Sequence, residues 1–455
     1  MKIKQALILL FAGASAITAH AQTYKCDAGF KALEDKAKLK SYDDVTVQLP
    51  VVIKNCPKYD AKLYTYGEAA YIYKIEHTRA EADKKIVAKD LVGLYEAQEK
   101  NFPGTGGAVK KAMVLHDRVL ATDDEVYKLL DAAFTTAPQT FTDYNTIDLY
   151  FNLYFKNYQT GTTGITQDEF IKRFCDIAAQ TGIAQNAISV KRAALVAKQE
   201  KETLTAEEKQ YLSDTKTTEK TLDAVAQNMT RAASKYINCD KLEVYYVANY
   251  DKNKTDAGWL KAMVNVFSLN KCYKSDVLYN GALALNQLNP GHDALMKLGY
   301  LSQKRNNQPD AIKYYEQAAE LETNAVLKAD LYLDIAAIYR SSNKAEAKKY
   351  VLKAAEVNPK SGKAYVFLAD LYTSPSKDCN LSEFDTKALS WLAIETVKKA
   401  EVADAKYKAT VASLIDTYTK RLPTKKEAKA AKRQRGDVIT YGCWINESVI
   451  LPKLK

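Results

Sequence analysis

The feature that most constrains the fold is a repeat in the second half of the chain. Between about residues 290 and 405 the same order of small and apolar residues returns at an interval in the mid-thirties. Each copy begins with a stripe of residues spaced i, i+3, i+4 and i+7, which lie on one face of a helix. A second stripe, built on alanines, follows it and predicts a second helix. The repeat therefore predicts consecutive helical hairpins that must stack on one another to bury their apolar faces.

The anchors of these hairpins are small or apolar residues with separate roles. A small residue within the first stripe, at Gly299, Ala336 or Ala369, would let the second helix approach closely. The pair Asn358-Pro359 predicts a helix end, because proline cannot continue a helix and restricts the residue before it. The predicted anchors are Leu295, Leu298, Gly299, Ala311, Tyr315, Ala318, Tyr332, Ala336, Tyr339, Ala347, Ala354, Pro359, Tyr365, Ala369 and Tyr372.

This pattern resembles the tetratricopeptide repeat (TPR) signature, W-x-x-L-G-x-x-Y…A-x-x-x-F…A…P, in three units. The departures are Ser302 in place of the usual Tyr, Thr323 in place of the closing Pro, an extension at 374–385, and no Trp at a leading position. The resemblance implies an all-α, TPR-like helical-hairpin solenoid, with an ordinary helical bundle as the alternative. Segments 259–269 and 276–288 predict a further hairpin before the first unit.

The rest of the chain is also predicted to be mainly helical. Its 17 Gly and 10 Pro in 455 residues are few for a turn-rich protein. Segments 62–75 and 82–100 predict a long hairpin, whereas 437–451 is β-branched and aromatic and predicts a short extended tail. The predicted organisation is a signal peptide at 1–21, degenerate helical-hairpin repeats at 22–160, a polar helical joint at 161–235, the TPR array at 236–405, and a basic helix with a C-terminal cap at 406–455.

The first 21 residues have the composition of an export signal. Lys2 and Lys4 are followed by the apolar stretch 6–18 and by Ala19-His20-Ala21, a small-x-small cleavage site. An uncleaved apolar N-terminus is the alternative. No later apolar run approaches the length that spans a bilayer. We therefore expect a periplasmic or secreted protein without a membrane span.

Export makes the seven cysteines candidates for disulfides. Six cysteines allow 15 pairings, and the choice of the unpaired one multiplies these sevenfold. Sequence proximity favours Cys26–Cys56 and Cys239–Cys272. Cys379 lies in the extension of the third unit and Cys443 in the tail, so a bond between them would pin the tail to the last repeat. Cys175 would then be the unpaired thiol.

The positive charge of the chain is local. Of a formal net charge of +11, most comes from residues 420–435, where eight Lys and Arg stand against one acid, Glu427. A patch of this kind does not indicate a nucleic-acid-binding domain. We predict a helix over 424–435, begun by a Thr424-x-x-Glu427 capping box and ended by Gly436. It is either a solvated terminal helix or a site of peripheral association with an acidic partner or an anionic membrane.

Catalytic and metal-binding motifs are not supported. The segment 104–107 lacks the strand and the third glycine of a dinucleotide site, and Asp251-x-Asn253-x-Thr255 lacks the glycine and glutamate of a calcium loop. The three histidines beyond the predicted signal form no zinc motif, and no cysteines have zinc spacing. Arg435-Gly436-Asp437 is explained by a helix end rather than by adhesion. We therefore expect no enzyme activity, cofactor or metal.

Two functions remain open. The first is a protein–protein interaction scaffold or adaptor of the bacterial cell envelope, which the TPR resemblance implies, with a partner segment on the concave face of the array. The second is a glycan-binding helical-repeat protein of polysaccharide uptake, suggested by 31 Tyr but weakened by only 3 Trp. Many tyrosines occupy anchor positions, so a glycan site would need exposed tyrosines elsewhere.

Overall fold

The computed structural model describes residues 24–375 and 377–452, so the predicted signal peptide lies outside the described residues. The described chain divides into two compact units. The first contains the residues up to Phe141 together with Asn152–Tyr154, and the second contains the remainder. The two units are described separately.

The first unit is a run of helices in which each packs on the next. Its core includes Leu33, Val45, Leu63 and Ala88, which are fully buried. The predicted hairpin over 62–75 and 82–100 is confirmed. The helices are α1 (Cys26–Lys38), α2 (Tyr42–Asn55), α3 (Lys62–His77), α4 (Glu81–Asn101), α5 (Gly107–Asp117) and α6 (Asp123–Thr136).

The second unit begins with five helices, the first of which contributes only Asn152–Tyr154 to the first unit. They are α7 (Tyr144–Thr160), α8 (Gln167–Gln199), α9 (Ala206–Asp214), α10 (Thr218–Ala233) and α11 (Cys239–Asn253). The long helix α8 packs against α10 and against the following helix, α12 (Ala257–Leu269). Two glycines permit this contact, because a Cβ built on Gly182 would lie 2.3 Å from the carbonyl oxygen of Gly258. The backbones of α8 and α12 thus meet directly.

Four hairpins follow, formed by α12 with α13 (Asp276–Leu288), α14 (His292–Lys304) with α15 (Gln308–Leu321), α16 (Ala325–Tyr339) with α17 (Lys344–Val357), and α18 (Gly362–Tyr372) with α19 (Glu383–Ala403). Side-chain caps start the second helices; Asn343, for example, accepts a hydrogen bond from the backbone N–H of Glu346. Each second helix also packs on the first helix of the next hairpin. The predicted all-α fold of consecutive helical hairpins is confirmed, including the hairpin over 259–269 and 276–288.

The chain ends in α20 (Lys408–Thr419), α21 (Lys425–Ala430) and an antiparallel hairpin of β1 (Val438–Tyr441) and β2 (Glu447–Ile450), in which Val438 pairs with Ile450. The predicted extended tail is confirmed. The prediction of a helix over 424–435 is wrong in its length, because α21 ends at Ala430. Its capping box forms, but Lys432 adopts a left-handed φ of 53° and the N–H of Arg433 bonds to the carbonyl of Ala428, which ends the helix before Gly436.

Within residues 24–375 and 377–452, the structure contains no helix that is both long and apolar enough to cross a bilayer.

Candidate functional site

The predicted anchors mostly form the interior of the hairpins. Gly299 faces the ring of Tyr315, and a Cβ at Gly299 would lie 2.6 Å from that ring. The small residue therefore allows α14 and α15 to approach closely. The other buried anchors are Leu295, Leu298, Ala311, Ala318, Ala336, Ala347, Ala354, Ala369 and Tyr372. Because these side chains are enclosed, they build the array and are not available to a partner.

Three predicted anchors that are tyrosines are only half-buried: Tyr332, Tyr339 and Tyr365. Tyr339 stacks on Tyr350, with ring centroids 5.9 Å apart, and Tyr332 lies 6.2 Å from the same ring. Burial and a hydrogen bond to Glu316 raise the pKa of Tyr350. Two of the three therefore pack against α17, while Tyr365 lies in a groove described below. Pro359 is exposed, just after the end of α17.

The first helices of two neighbouring hairpins, α16 and α18, carry charged side chains that pair with one another. Lys363 on α18 lies 2.8 Å from the carboxylate of Asp330 on α16. Arg340, which directly follows α16, forms a salt bridge with Asp370 on α18, and its guanidinium lies 5.8 Å from the centre of the Phe367 ring. These pairs join successive first helices, and their charges compensate each other.

A groove of about 510 Å³ opens between the start of α18 and the end of α19. Val402 in its wall is 90% exposed, an unusual position for a large apolar side chain. The groove is lined by Pro359, Lys360, Tyr365, Lys398, Lys399, Val402 and Ala403. It thus combines an apolar surface with three ammonium groups, and sequence reasoning identified it only through Tyr365 and Pro359 as structural anchors.

The lysines of this groove are not neutralised by nearby acids. Within the described part of the chain, Lys360, Lys398 and Lys399 form no salt bridge. The adjacent carboxylate of Asp404 is already held by Lys406, whose ammonium lies 2.8 Å away and lowers the pKa of that carboxyl. The groove therefore carries a net positive charge that a bound acidic group could neutralise.

The C-terminal hairpin covers the last repeat through a polar network that the sequence did not indicate. Lys348 on α17 is almost fully buried, and its ammonium donates to the carbonyl of Ile445 at 2.6 Å and to Glu447 at 2.8 Å. The hydroxyl of Tyr372 donates to the same carboxylate at 3.2 Å. A lysine in a Lys-rich helix is expected to be exposed to solvent. No local sequence signal therefore indicated that Lys348 would be buried and hold the tail.

The structure contains three disulfides, joining Cys26 to Cys56, Cys239 to Cys272 and Cys379 to Cys443. These are the three pairs named from the sequence. Cys175 is a free and fully buried thiol. Burial raises the pKa of this thiol, which keeps it protonated and unreactive.

Each histidine in the described part of the chain has its own neighbouring side chain. His77 stacks on Tyr73, His116 lies beside Asp117, and His292 lies beside Asp293. In the described ranges, no three or more His, Cys, Asp or Glu side chains are grouped so that they could hold a metal ion.

Comparison with known proteins gives matches among solved structures. No protein-family model matches the sequence, and the search of curated proteins also finds no match. Similar structures include the MamA protein (TM-score 0.29, 16% identity, 40% of this chain and 92% of that chain), yeast Tom70 (0.23, 12%, 90% and 99%) and the P58(IPK) TPR domain (0.24, 10%, 90% and 99%). At these TM-scores and identities, the description of the fold rests on the helical hairpins themselves.

Proposed function

We propose that this chain is a non-catalytic interaction scaffold of the bacterial cell envelope, which holds an acidic segment of another protein. The observation that carries the proposal is the groove between α18 and α19. Its lysines are unpaired within the described residues, whereas the charges on the first helices pair with one another. An acidic segment would gain charge-assisted hydrogen bonds in the groove without first breaking a salt bridge.

The apolar wall of the groove adds to this selectivity. Val402 is 90% exposed and lies beside Tyr365 and Pro359. Covering such side chains is favourable in proportion to the apolar area removed from water. The partner segment is therefore expected to combine aspartate or glutamate with at least one large apolar residue.

An envelope location is supported by the chemistry of the cysteines. Disulfides persist in oxidising compartments such as the periplasm or the medium and are rare in the cytosol. The described residues hold three of them. Together with the signal peptide predicted at 1–21, this favours a periplasmic or secreted scaffold.

The test is site-specific photocrosslinking in intact cells, with a photoreactive amino acid at Val402. The control position is Val244, a valine of α11 that is 73% exposed and lies outside the groove. We expect a discrete crosslinked partner from position 402 and none from position 244. Equal crosslinking from both positions, or none from 402, would contradict the groove as the binding site.

A charge variant tests the role of the lysines. Lys398→Glu and Lys399→Glu together should abolish the crosslink at 402. Lys201→Glu and Lys209→Glu change the net charge equally at exposed lysines outside the groove, so this control should leave the crosslink intact. Loss with both pairs would show a dependence on overall charge instead.

Glycan binding is a second candidate because exposed tyrosines occur outside the anchor positions. In the first unit, Tyr73 is 39% exposed and stacks on His77 with ring centroids 3.8 Å apart, while Tyr42 lies 4.9 Å from Tyr73. If this surface stacks on sugars, Tyr73→Ala should remove binding on a glycan array, and Ile72→Ala, its equally exposed neighbour, should not. The absence of glycan binding by the unsubstituted chain would exclude this candidate.

A further inference from the structure

The segment 420–435 contains cations that the protein does not use internally. Lys420 is paired with Asp416, and Arg433 lies 3.8 Å from Asp385. The others form no salt bridge within the described part of the chain and are exposed: Arg421, Lys425, Lys426, Lys429, Lys432 and Arg435. Six positive charges are thus concentrated on a short piece of surface.

The carboxylates next to this cluster are already engaged. Glu427 accepts from the backbone N–H and hydroxyl of Thr424 and forms a salt bridge with Lys387 on α19. Asp437 accepts a hydrogen bond from the backbone N–H of Gln434 at 2.9 Å. The charge of Glu427 is thus compensated by Lys387, and the single carboxylate of Asp437 leaves the six cations with a net positive charge.

The hairpin that follows has an uncharged outer face. Its strands alternate, so that Ile439, Tyr441 and Val449 point inward. Val438 and Ile450 are paired across the strands and are 54% and 64% exposed. Next to them, the hydroxyl of Ser448 donates a hydrogen bond to the hydroxyl of Thr440 at 3.1 Å. This face is small, partly apolar and free of charge.

Both elements contact the N-terminal part of α19. Ala428 of α21 is buried, and Glu427 bonds to Lys387. The hydroxyl of Tyr441 in β1 donates to the carbonyl of Asp385 at 3.0 Å. The disulfide from Cys443 to Cys379 further fixes the hairpin. The backbone N–H of Gly436 also bonds to the carbonyl of Leu451 at 3.0 Å, so the end of the cationic segment lies beside the Val438–Ile450 pair. The cations and this pair are here called the cap surface.

We propose that the cap surface docks on the phosphate-bearing headgroups of an anionic phospholipid bilayer. Each basic side chain near such a surface strengthens binding by about fivefold. The valine and isoleucine enter the headgroup region, as the apolar side of an interfacial segment does. The docking involves no membrane span. It is independent of the groove between α18 and α19, so vesicle binding and partner capture can succeed or fail separately.

The test is co-sedimentation of the chain lacking residues 1–21 with vesicles of 30% phosphatidylglycerol in phosphatidylcholine or of phosphatidylcholine alone. We expect binding to the anionic vesicles only, weakening between 50 and 300 mM salt as the Debye length falls from about 14 to 6 Å. Replacing Lys425, Lys426, Lys429, Lys432 and Arg435 with Gln should reduce the affinity by about a hundredfold or more. The pair Val438→Thr and Ile450→Thr should reduce it by about threefold to tenfold and leave the salt dependence unchanged.

The matched control removes five exposed lysines elsewhere: Lys201, Lys209, Lys216, Lys220 and Lys252, all to Gln. It changes the net charge by the same amount and should retain binding. Equal loss in this control, equal binding to neutral vesicles, or binding to soluble polyglutamate without binding to vesicles would each overturn the proposal. The last of these outcomes would identify the cap surface as a site for an acidic protein.

Discussion

The interior of the helical hairpins and the C-terminal cap both cover an apolar helix face, but they do so through different interactions. Between α16 and α17 the contact is made by small side chains, with Ala336, Ala347 and Ala354 fully buried. At the cap, a buried lysine, a carboxylate and a disulfide hold a short hairpin in place. A repeat can be closed by packing because the next repeat has a matching surface. The last hairpin is followed by α20 and the β-hairpin instead of another repeat, so specific bonds position a segment of different structure on it.

The largest effect is expected from the disulfide of the cap. Replacing Cys379 and Cys443 with Ser opens a loop of 64 residues, which should lower the free energy of unfolding by about 4 kcal/mol on the chain-entropy model. Hydrogen exchange should also become faster in β1 and β2, and urea unfolding gives the free energy. Cys175→Ala, the control, removes a sulfur without opening a loop and should cost no more than about 1–2 kcal/mol. An unchanged hairpin in the double variant would show that packing alone closes the array.

The next effect concerns the buried ion pair of the cap. Lys348→Met should cost about 2–3 kcal/mol, less than a fully enclosed pair because the Glu447 side chain is 42% exposed. Glu447→Leu should cost a similar amount, since it leaves the ammonium with only the carbonyl of Ile445 and no counter-charge. The double variant should cost clearly less than the sum of the single variants, by about 1–2 kcal/mol. Strict additivity in urea unfolding would mean that the pair does not couple the hairpin to α17.

The same contrast explains how much of the molecule could be predicted from sequence. The anchors repeat along the chain, so the small residues at 299, 336 and 369 could be recognised by their common position. The cysteine pairs could be named because two join near neighbours and the third joins two segments that have no other explanation. In each case the prediction rested on the sequence around the residues themselves or on its repetition along the chain.

The interactions that could not be predicted join residues without any such pattern. Lys348 meets Glu447 across 99 positions of sequence, and neither neighbourhood differs from a solvated surface. The groove arises where the α17–α18 loop meets the last turn of α19, so its lysines come from two separate segments. The early end of α21 depends on a left-handed conformation at Lys432, a residue type that rarely adopts it.

A smaller effect is expected inside the hairpins, where packing should be sensitive to added volume. Ala336→Leu inserts three carbon atoms at a fully buried position and should cost about 2 kcal/mol by overpacking. Ala337→Leu adds the same atoms one residue later, where the side chain is exposed, and should change the free energy of unfolding by less than about 0.5 kcal/mol. Equal costs for the two variants would contradict the assignment of Ala336 to the closely packed face.

The smallest effects are changes of stability with pH, and they should have opposite signs at a carboxylate of α8 and at one of the cap. Asp176 on α8 is half-buried and accepts a hydrogen bond from Tyr245 at 2.5 Å. Burial raises the pKa of its carboxyl despite that bond and the nearby Lys172 and Arg173. A raised pKa means that the folded state holds the proton more tightly than the unfolded chain. The stabilising contribution of this carboxyl is therefore largest below the pKa of the unfolded chain, about 3.9. It is lost as the pH rises through the pKa of the folded state. Asp176→Asn should remove this dependence.

At the cap, the salt bridge to Lys387 and the hydrogen bonds from Thr424 lower the pKa of Glu427 to about 2. The dependence of stability on pH therefore has the opposite sign, because the folded state favours the charged carboxylate. The contribution is present above the unfolded pKa of about 4.3 and is lost as the pH falls toward 2. We expect hydrogen exchange in α21 to accelerate over this acid range, and Glu427→Gln to show the same fast exchange already at pH 7. Glu383 offers a control, because it also forms a salt bridge with Lys387 but is exposed and lies outside the capping box. The variant Glu383→Gln should therefore keep the acid transition of α21. If that variant lost the transition as well, the effect would belong to Lys387 and not to the helix start.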